Sequence, residues 1–441
     1  MYALSYAIYY NRYTLYIYYH VHRVCGQGIC LFLSLIIICL SHLRMKRHSS
    51  PHARFLACAM LVMAWCLRIG PVMATDLPTD LRASLVVVAP GYTAYTAHGH
   101  CALRMQCASE GLDYCFTYGL ADNCQSYLSF FSGHGMGQFS TAYTSDYLAD
   151  YARQHRQVCQ YELNLSLDEK RSLWALLDSQ LDDGGLLPYN YLTTNCSSMC
   201  VRIVGQALAP ERLYYHTLPP VLNGTYRDFV RHISRRRPWV SFFWLSLLGA
   251  EGERQGALED KLSPQLLVEA WQSASVVDSL GASRPMFASG PQVVVQGDDG
   301  SATTLLTPTL CFALLLVAVV ILTVMQWRRP LPFMRYVDGA LLALHTLCSL
   351  LVCYMSFVSS LGGASGNVYA VVFNPLPLLL WLCCRRCGWY GRVYVAYAVV
   401  LGCFILLTPV VAAIDVPHAL LCGILFARCL GHAVRRYRVA A

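Results

Sequence analysis

The sequence predicts an α+β extracytoplasmic domain followed by an α-helical multi-span membrane region. Three observations carry that expectation. Of the 441 residues, 56% are hydrophobic, more than an ordinary soluble chain holds, over a length that suits two or three units. The formal charge of +8 divides unevenly: residues 1–74 carry 7 Lys/Arg and no acid, residues 75–303 carry 16 against 23 Asp/Glu, and residues 304–441 carry 10 against 2. The middle span alternates strand and helix periodicities, whereas the last reads as successive apolar runs. Its acidic balance speaks against nucleic acid as a partner.

In chain order, residues 1–44 are a doubtful N-terminal extension, rich in Tyr, whose apolar run Ile29 to Leu40 is short for a membrane span. Met45 opens a more familiar pattern. Lys46, Arg47 and Arg54 form a basic leader, Phe55 to Leu67 an apolar run, and Val72-Met73-Ala74 a small-residue cleavage site. Residues 45–74 therefore read as a signal peptide or N-terminal membrane anchor, and the domain after them as exported.

Residues 75–232 form that domain. Leu85 to Ala89 is an apolar strand, broken by Pro90-Gly91. His100 to Met105 is a second strand, with Cys101, Leu103 and Met105 on one face and His100, Ala102 and Arg104 on the other. Leu112 to Tyr118 is a third, ended by Gly119. Ser166 and Glu169 form a capping box for a helix that aligns Leu173, Trp174, Leu176, Leu177 and Leu181. Residues 233–303 are a membrane-proximal connector. In it Arg235-Arg236-Arg237 precede an apolar stretch, Trp239 to Leu248, suited either to the bilayer interface or to a buried helix. Ser289 to Thr303 reads as a polar linker.

Residues 304–441 are expected to hold about five helices, at Leu305–Gln326, Tyr336–Ser359, Val368–Cys384, Val393–Ala413 and Val416–Gly431, the third and fifth being short. Arg328, Arg329 and Arg335 follow the first, Arg385, Arg386 and Arg392 the third, and Arg428, Arg435, Arg436 and Arg438 mark the end of the fifth and the tail. The segments after the second and fourth have no Lys or Arg. By the positive-inside rule the C-terminus is cytoplasmic and residues 75–303 lie outside.

The chemistry is expected at Cys196. Thr193-Thr194-Asn195 are N-cap types, and Cys200, Ile203, Val204, Ala207 and Leu208 follow at helical spacing. Cys196 thus falls in the first turn, where free amides and the helix dipole favour a thiolate. A small buried cysteine is the plainer reading of the same residue. A thiol nucleophile needs a base. Among the histidines of the outer domain, His100 at a strand start fits best and His98, on the same face, is next. Asn195, Asp113 and Tyr118 are unranked candidates for an orienting group, and the Cys196 amide suits an oxyanion. Cys196, Cys200, His98 and His100 would also supply zinc ligands, but without the tight Cys-x2-Cys pair such sites use.

Pro90-Gly91 followed by Gly99-His100-Cys101-Ala102-Leu103-Arg104-Met105 resembles the opening of the Lnb-type periplasmic domain. Tyr118-Gly119, Phe131-Ser132-Gly133, Leu163-Asn164-Leu165-Ser166 and the run from Tyr189 to Asn195-Cys196 are similar to its later motifs, in the same order. Asp338 and Asn374-Pro375-Leu376 resemble its membrane region. The resemblance implies a lipoprotein N-acyltransferase with a permuted papain-like (NlpC/P60-like) domain, Cys196 as nucleophile and His100 as base, with Asn195, His98, Arg104 and Tyr118 in possible support. It implies a membrane phospholipid as acyl donor, bacterial lipoproteins as acceptor, no metal and no cofactor, and a place in the bacterial inner membrane with the catalytic domain periplasmic. The family often has Phe where this chain has His98, and a histidine that Ser359 to Asn367 lacks. A membrane-anchored cysteine peptidase or cell-wall amidase, and a non-catalytic receptor or assembly factor, are the alternatives.

Overall fold

The structure is a computed structural model that describes residues 79–93, 95–121, 127–300, 304–384 and 390–440. The doubtful extension, the leader and Cys124 lie outside the described residues. In chain order the strands are β1 Leu81–Val88, β2 His100–Cys107, β3 Leu112–Leu120, β4 Met136–Tyr143, β5 Val158–Glu162, β6 Leu186–Pro188, β7 Arg212–Tyr215, β8 Ala274–Val277, β9 Ser283–Pro285 and β10 Gln292–Val295. The outer domain's α-helices are α1 Tyr127–Ser132, α2 Thr144–Arg153, α3 Leu167–Asp182, α4 Cys196–Leu208, α5 Tyr226–Ile233, α6 Pro238–Leu247 and α7 Pro264–Gln272. Those of the membrane region are α8 Pro308–Arg328, α9 Met334–Phe357, α10 Leu376–Cys384, α11 Tyr390–Leu407 and α12 Val416–Ala440. An α+β domain thus precedes a helical membrane region, the expected class.

Seven strands form one sheet in the order β10-β5-β1-β2-β3-β4-β6, and β7-β8-β9 form a smaller one. The β1–β2 register runs from Leu81 opposite Cys107 to Val88 opposite His100. β3 does not stop at Gly119, as local preference would have it: Gly119 pairs with Gln138 and the ladder continues to Leu120. Pairing with β4 outweighs the weak strand preference of one glycine. Likewise Gln292–Val295, inside the segment expected as a linker, pairs with β5 as the outer strand. Its valines have the residue type for an edge, which one polar neighbourhood obscured.

Alternation along β2 sorts the two faces. Cys101, Leu103 and Met105 join Leu85, Val87 and Phe116 in a core beneath α3 and α4, while Ala102, Cys115, Val86 and Val88 pack with Tyr147 of α2 on the reverse side. α3 starts at the predicted capping box: the Ser166 amide donates to Glu169 Oε2 at 2.6 Å and the Glu169 amide to Ser166 Oγ at 3.3 Å. Its Leu173 and Leu177 are fully buried, each stabilising the domain by about 1.5–3 kcal/mol. α6 answers the choice left open by its sequence with one face for each role. Trp244, Leu245 and Leu247 are buried, whereas Trp239 is 43% exposed and donates its indole N–H to the Leu306 carbonyl at 2.7 Å, just ahead of α8.

Among the described residues α8, α9 and α12 are long and apolar enough to cross a membrane. The third expected span is instead a 3-10 turn at Val368–Val371 followed by the nine residues of α10. Asn374 and Pro375 cause the break: the Asn374 amide donates to Val371 O at 2.9 Å and its Oδ1 accepts from the Leu376 amide at 3.1 Å, so the side chain replaces helical bonding. The nine described residues of α10 rise about 14 Å. Inside the bundle Arg428 holds both carboxylate oxygens of Asp338 at 2.7 and 2.9 Å and the Thr323 hydroxyl at 2.8 Å, joining α12, α9 and α8.

Both membrane-region loops without Lys or Arg meet the outer domain. In the loop after α9, the Ser360 amide donates to Ser132 O at 2.9 Å and the Gly363 amide to Glu251 Oε2 at 2.7 Å, while the Gly249 and Ala250 amides donate to Gly363 O and Ser365 O at 2.6 and 2.9 Å. Asp415, after α11, pairs with Arg231 at 2.9 Å and with the buried Arg227 at 3.6 Å. The close approach leaves no room for side chains. A Cβ on Gly133 would overlap the Ser360 backbone, and one on Gly249 the Ser365 carbonyl.

Candidate active site

α4 is the most enclosed helix of the domain, and its first residue is Cys196. The predicted stripe Cys200, Ile203, Val204, Ala207 and Leu208 is buried, joined by Met199 and Val201. Asn195 fixes the start. Its Oδ1 accepts from the Ser197 and Ser198 amides at 2.9 and 3.1 Å, and the Ser198 hydroxyl accepts from the Asn195 amide at 2.9 Å. With both following amides engaged, the Cys196 N–H is left without an acceptor among the described residues. Asn195 also donates to the Tyr191 carbonyl at 3.3 Å, so its side chain orients the helix start.

Cys196 is partly exposed and unbridged. Hydrogen bonding with the Cys101 thiol and burial push its own thiol well up, and the His100 imidazole pulls in the opposite direction by charge and by hydrogen bonding. The imidazole is therefore close enough to act on the sulfur electrostatically. Cys101 itself contacts Cys200 Sγ at 3.8 Å and Ser197 Oγ at 3.5 Å, giving the floor a group of unbridged thiols. Burial raises the Tyr189 and Tyr151 hydroxyls, the latter to about 12.

The polar partner of His100 is one the sequence reading missed. His100 Nε2 lies 2.5 Å from Thr117 Oγ1. The signal was present in the hairpin: Leu112 opposes Cys107 and Thr117 opposes Ala102, so Thr117 sits one diagonal step from His100 on the same face. A threonine on a strand has an ordinary β-branched role, which hid it.

The other candidates are placed elsewhere. His98 bonds Ser234 Oγ at 2.9 Å and tilts against Trp244, and burial, helped by Arg237, pulls its pKa down to about 4. Arg104 forks onto both oxygens of Asp113 at 2.8 and 2.6 Å and reaches Gln160, which accounts for Asp113 as well. Tyr118 is buried, donates to the Leu187 carbonyl at 3.1 Å and stacks on Tyr189. Its hydroxyl fills the space a Cβ at Gly137 would take. These three shape the surroundings and do not join the Cys196–His100 pair. No group of three or more His, Cys, Asp or Glu side chains suited to a metal occurs among the described residues.

The site faces the membrane region. The segment before Asn195 is a tight loop in which the Asn190 and Thr194 backbones bond each other at 3.1 and 2.8 Å. Gly362 and Gly363, between α9 and α10, sit directly on Asn190 and Leu192 of that loop. Tyr191 stacks on Trp244 of α6 at 4.7 Å. The membrane loop thus buttresses the residues that present the cysteine.

No curated protein and no solved structure matches the chain. Two family models do: the Lnb N-terminal periplasmic domain over residues 74–231 and the Lnb transmembrane domain over residues 300–439. They meet, in order, the domain that carries Cys196 and His100 and the bundle that supports it, so the chain belongs to the Lnb family of membrane proteins with a periplasmic domain.

Proposed function

We propose that this protein is a lipoprotein N-acyltransferase that moves an acyl chain from a phospholipid, through a Cys196 thioester, to the α-amine of a lipoprotein diacylglyceryl-cysteine. The observation that carries the reading is the Cys196 sulfur at the capped start of α4, beside the His100 imidazole. With Nε2 engaged by Thr117, Nδ1 is the ring nitrogen left to serve the sulfur. His100 takes the thiol proton as the sulfur attacks the ester carbonyl, and the Cys196 N–H receives the developing oxyanion. The C–O bond breaks and the lysophospholipid leaves with the proton from His100. The lipoprotein amine then attacks the thioester, the C–S bond breaks, and the sulfur recovers a proton. Dividing the transfer in two suits an amine acceptor, because a thioester is more readily aminolysed than an oxygen ester.

The resting thiol is protonated, since burial and Cys101 hold its pKa up, so a base at the moment of attack is needed. The docking of the Lys/Arg-free loops onto the domain supports an outward-facing site with the Arg-rich loops and the C-terminus cytoplasmic. It also favours acyl transfer over the amidase alternative, because both substrates are bilayer-bound and the bundle holds the site next to the bilayer. Mass spectrometry of lipoprotein N-termini from cells carrying wild-type protein or Cys196→Ala tests this. Loss of the amide-linked chain in the variant is expected. Unchanged N-termini would overturn the proposal, and altered wall fragments beside them would point to an amidase.

A further inference from the structure

A pocket of about 310 Å³ opens between the end of α5, α6, and the first turns of α8 and α12. Two kinds of wall face each other across it. Arg231 and Arg235 supply positive charge, and Phe242 and Leu245 an apolar surface. Asp415 also lines it, but its carboxylate is already answered by Arg231 at 2.9 Å, Arg227 at 3.6 Å and the Tyr369 hydroxyl at 3.2 Å. Arg231 is shared with Asp228 at 3.1 Å, whereas Arg235 rests on the His232 ring and has no carboxylate partner among the described residues. His418 lines the pocket at 2% exposure: Nε2 meets Ser246 Oγ at 2.7 Å, and the buried Nδ1 has no partner.

We propose that this pocket holds the phosphate headgroup of a membrane glycerophospholipid. Arg235 and Arg231 take the phosphate oxygens, and Phe242 and Leu245 cover the start of the acyl chains. A guanidinium wall facing an aromatic and aliphatic one suits an amphipathic anion better than a free ion. Trp239 of the same helix, partly exposed and bonded beside the start of α8, marks the level of the bilayer interface. The other side of α6 carries Trp244, stacked on Tyr191 ahead of Cys196. One helix, about 10 Å across, therefore separates the pocket from the catalytic segment. A lipid held there has its esters on the far side of α6 from Cys196, so the inference adds a lipid-holding site apart from the proposed reaction.

The test uses the full chain carrying Cys196→Ala, which holds lipid without turnover, in native mass spectrometry with phosphatidylglycerol and with diacylglycerol of the same chains. Preferential retention of phosphatidylglycerol is expected, reduced about tenfold by Arg235→Gln and restored in part by Arg235→Lys. Arg235 is exposed and in no core, and an unchanged melting midpoint confirms that the variant is folded. Equal retention in Arg235→Gln and its parent overturns the proposal. So does displacement by inorganic phosphate with no preference between the two lipids, the mark of a free-phosphate site. The acyl-transfer reading fails by another result, N-acylated lipoproteins in cells that carry only Cys196→Ala.

Discussion

The Nε2 atom of His100 lies 2.5 Å from the hydroxyl oxygen of Thr117, across the β2–β3 hairpin. This contact fixes which ring nitrogen can serve Cys196. It gives a neutral residue the orienting place that the sequence reading sought among Asn195, Asp113 and Tyr118. Thr117→Val keeps the shape and removes the hydrogen bond. It should lower kcat for acyl transfer about tenfold with KM little changed, and Thr117→Ser should restore most of the loss. Equal loss in both variants would make the residue a packing group only.

His98 and His100 should separate cleanly. His100→Ala is expected to lower transfer by about 10²–10⁴-fold, and His98→Phe to leave it within a few-fold of wild type. A large loss with His98→Phe would restore it as the base.

His98 should show itself in stability instead. Burial lowers its pKa from 6.5 to about 4, so the folded protein resists a proton that the unfolded chain accepts. The contribution of neutral His98 is present in full above pH 6.5 and is lost as pH falls from 6.5 toward about 4. Melting midpoints measured across that window should fall for wild type, and less steeply for His98→Phe. Parallel curves would remove His98 from the acid response.

Cys101 should tune the nucleophile. Its thiol hydrogen-bonds with Cys196 and, with burial, holds that thiol's pKa up. In Cys101→Ala the lower limb of the kcat/KM profile should move to lower pH. Alkylation of Cys196 by iodoacetamide should follow the same shift. Movement toward higher pH would mean that Cys101 donates to the thiolate and stabilises it.

Gly249→Ala should loosen the loop after α9 from the outer domain, because the new Cβ would occupy the place of the Ser365 carbonyl. Faster proteolysis within residues 359–367 and reduced transfer are expected together, with the sheet domain intact by circular dichroism. Loss of activity with an unchanged cleavage rate would separate that loop from the catalytic function.

Sequence by itself determined what is local. The Ser166–Glu169 capping box, the Asn195 start and buried stripe of α4, and the face alternation of β2 all appear as read, because each depends on neighbours within a turn or a pleat. Hydropathy also marked the membrane helices, although Asn374 and Pro375 broke the third. Tertiary structure alone decided what depends on distant partners. It turned His98 onto Ser234, 136 residues away, and Arg104 onto Asp113. It brought Cys101 under Cys196 and set the loop after α9 against the segment that presents the cysteine. Strand order and helix docking place those groups, and periodicity along one chain reports a side chain's face without naming what stands opposite.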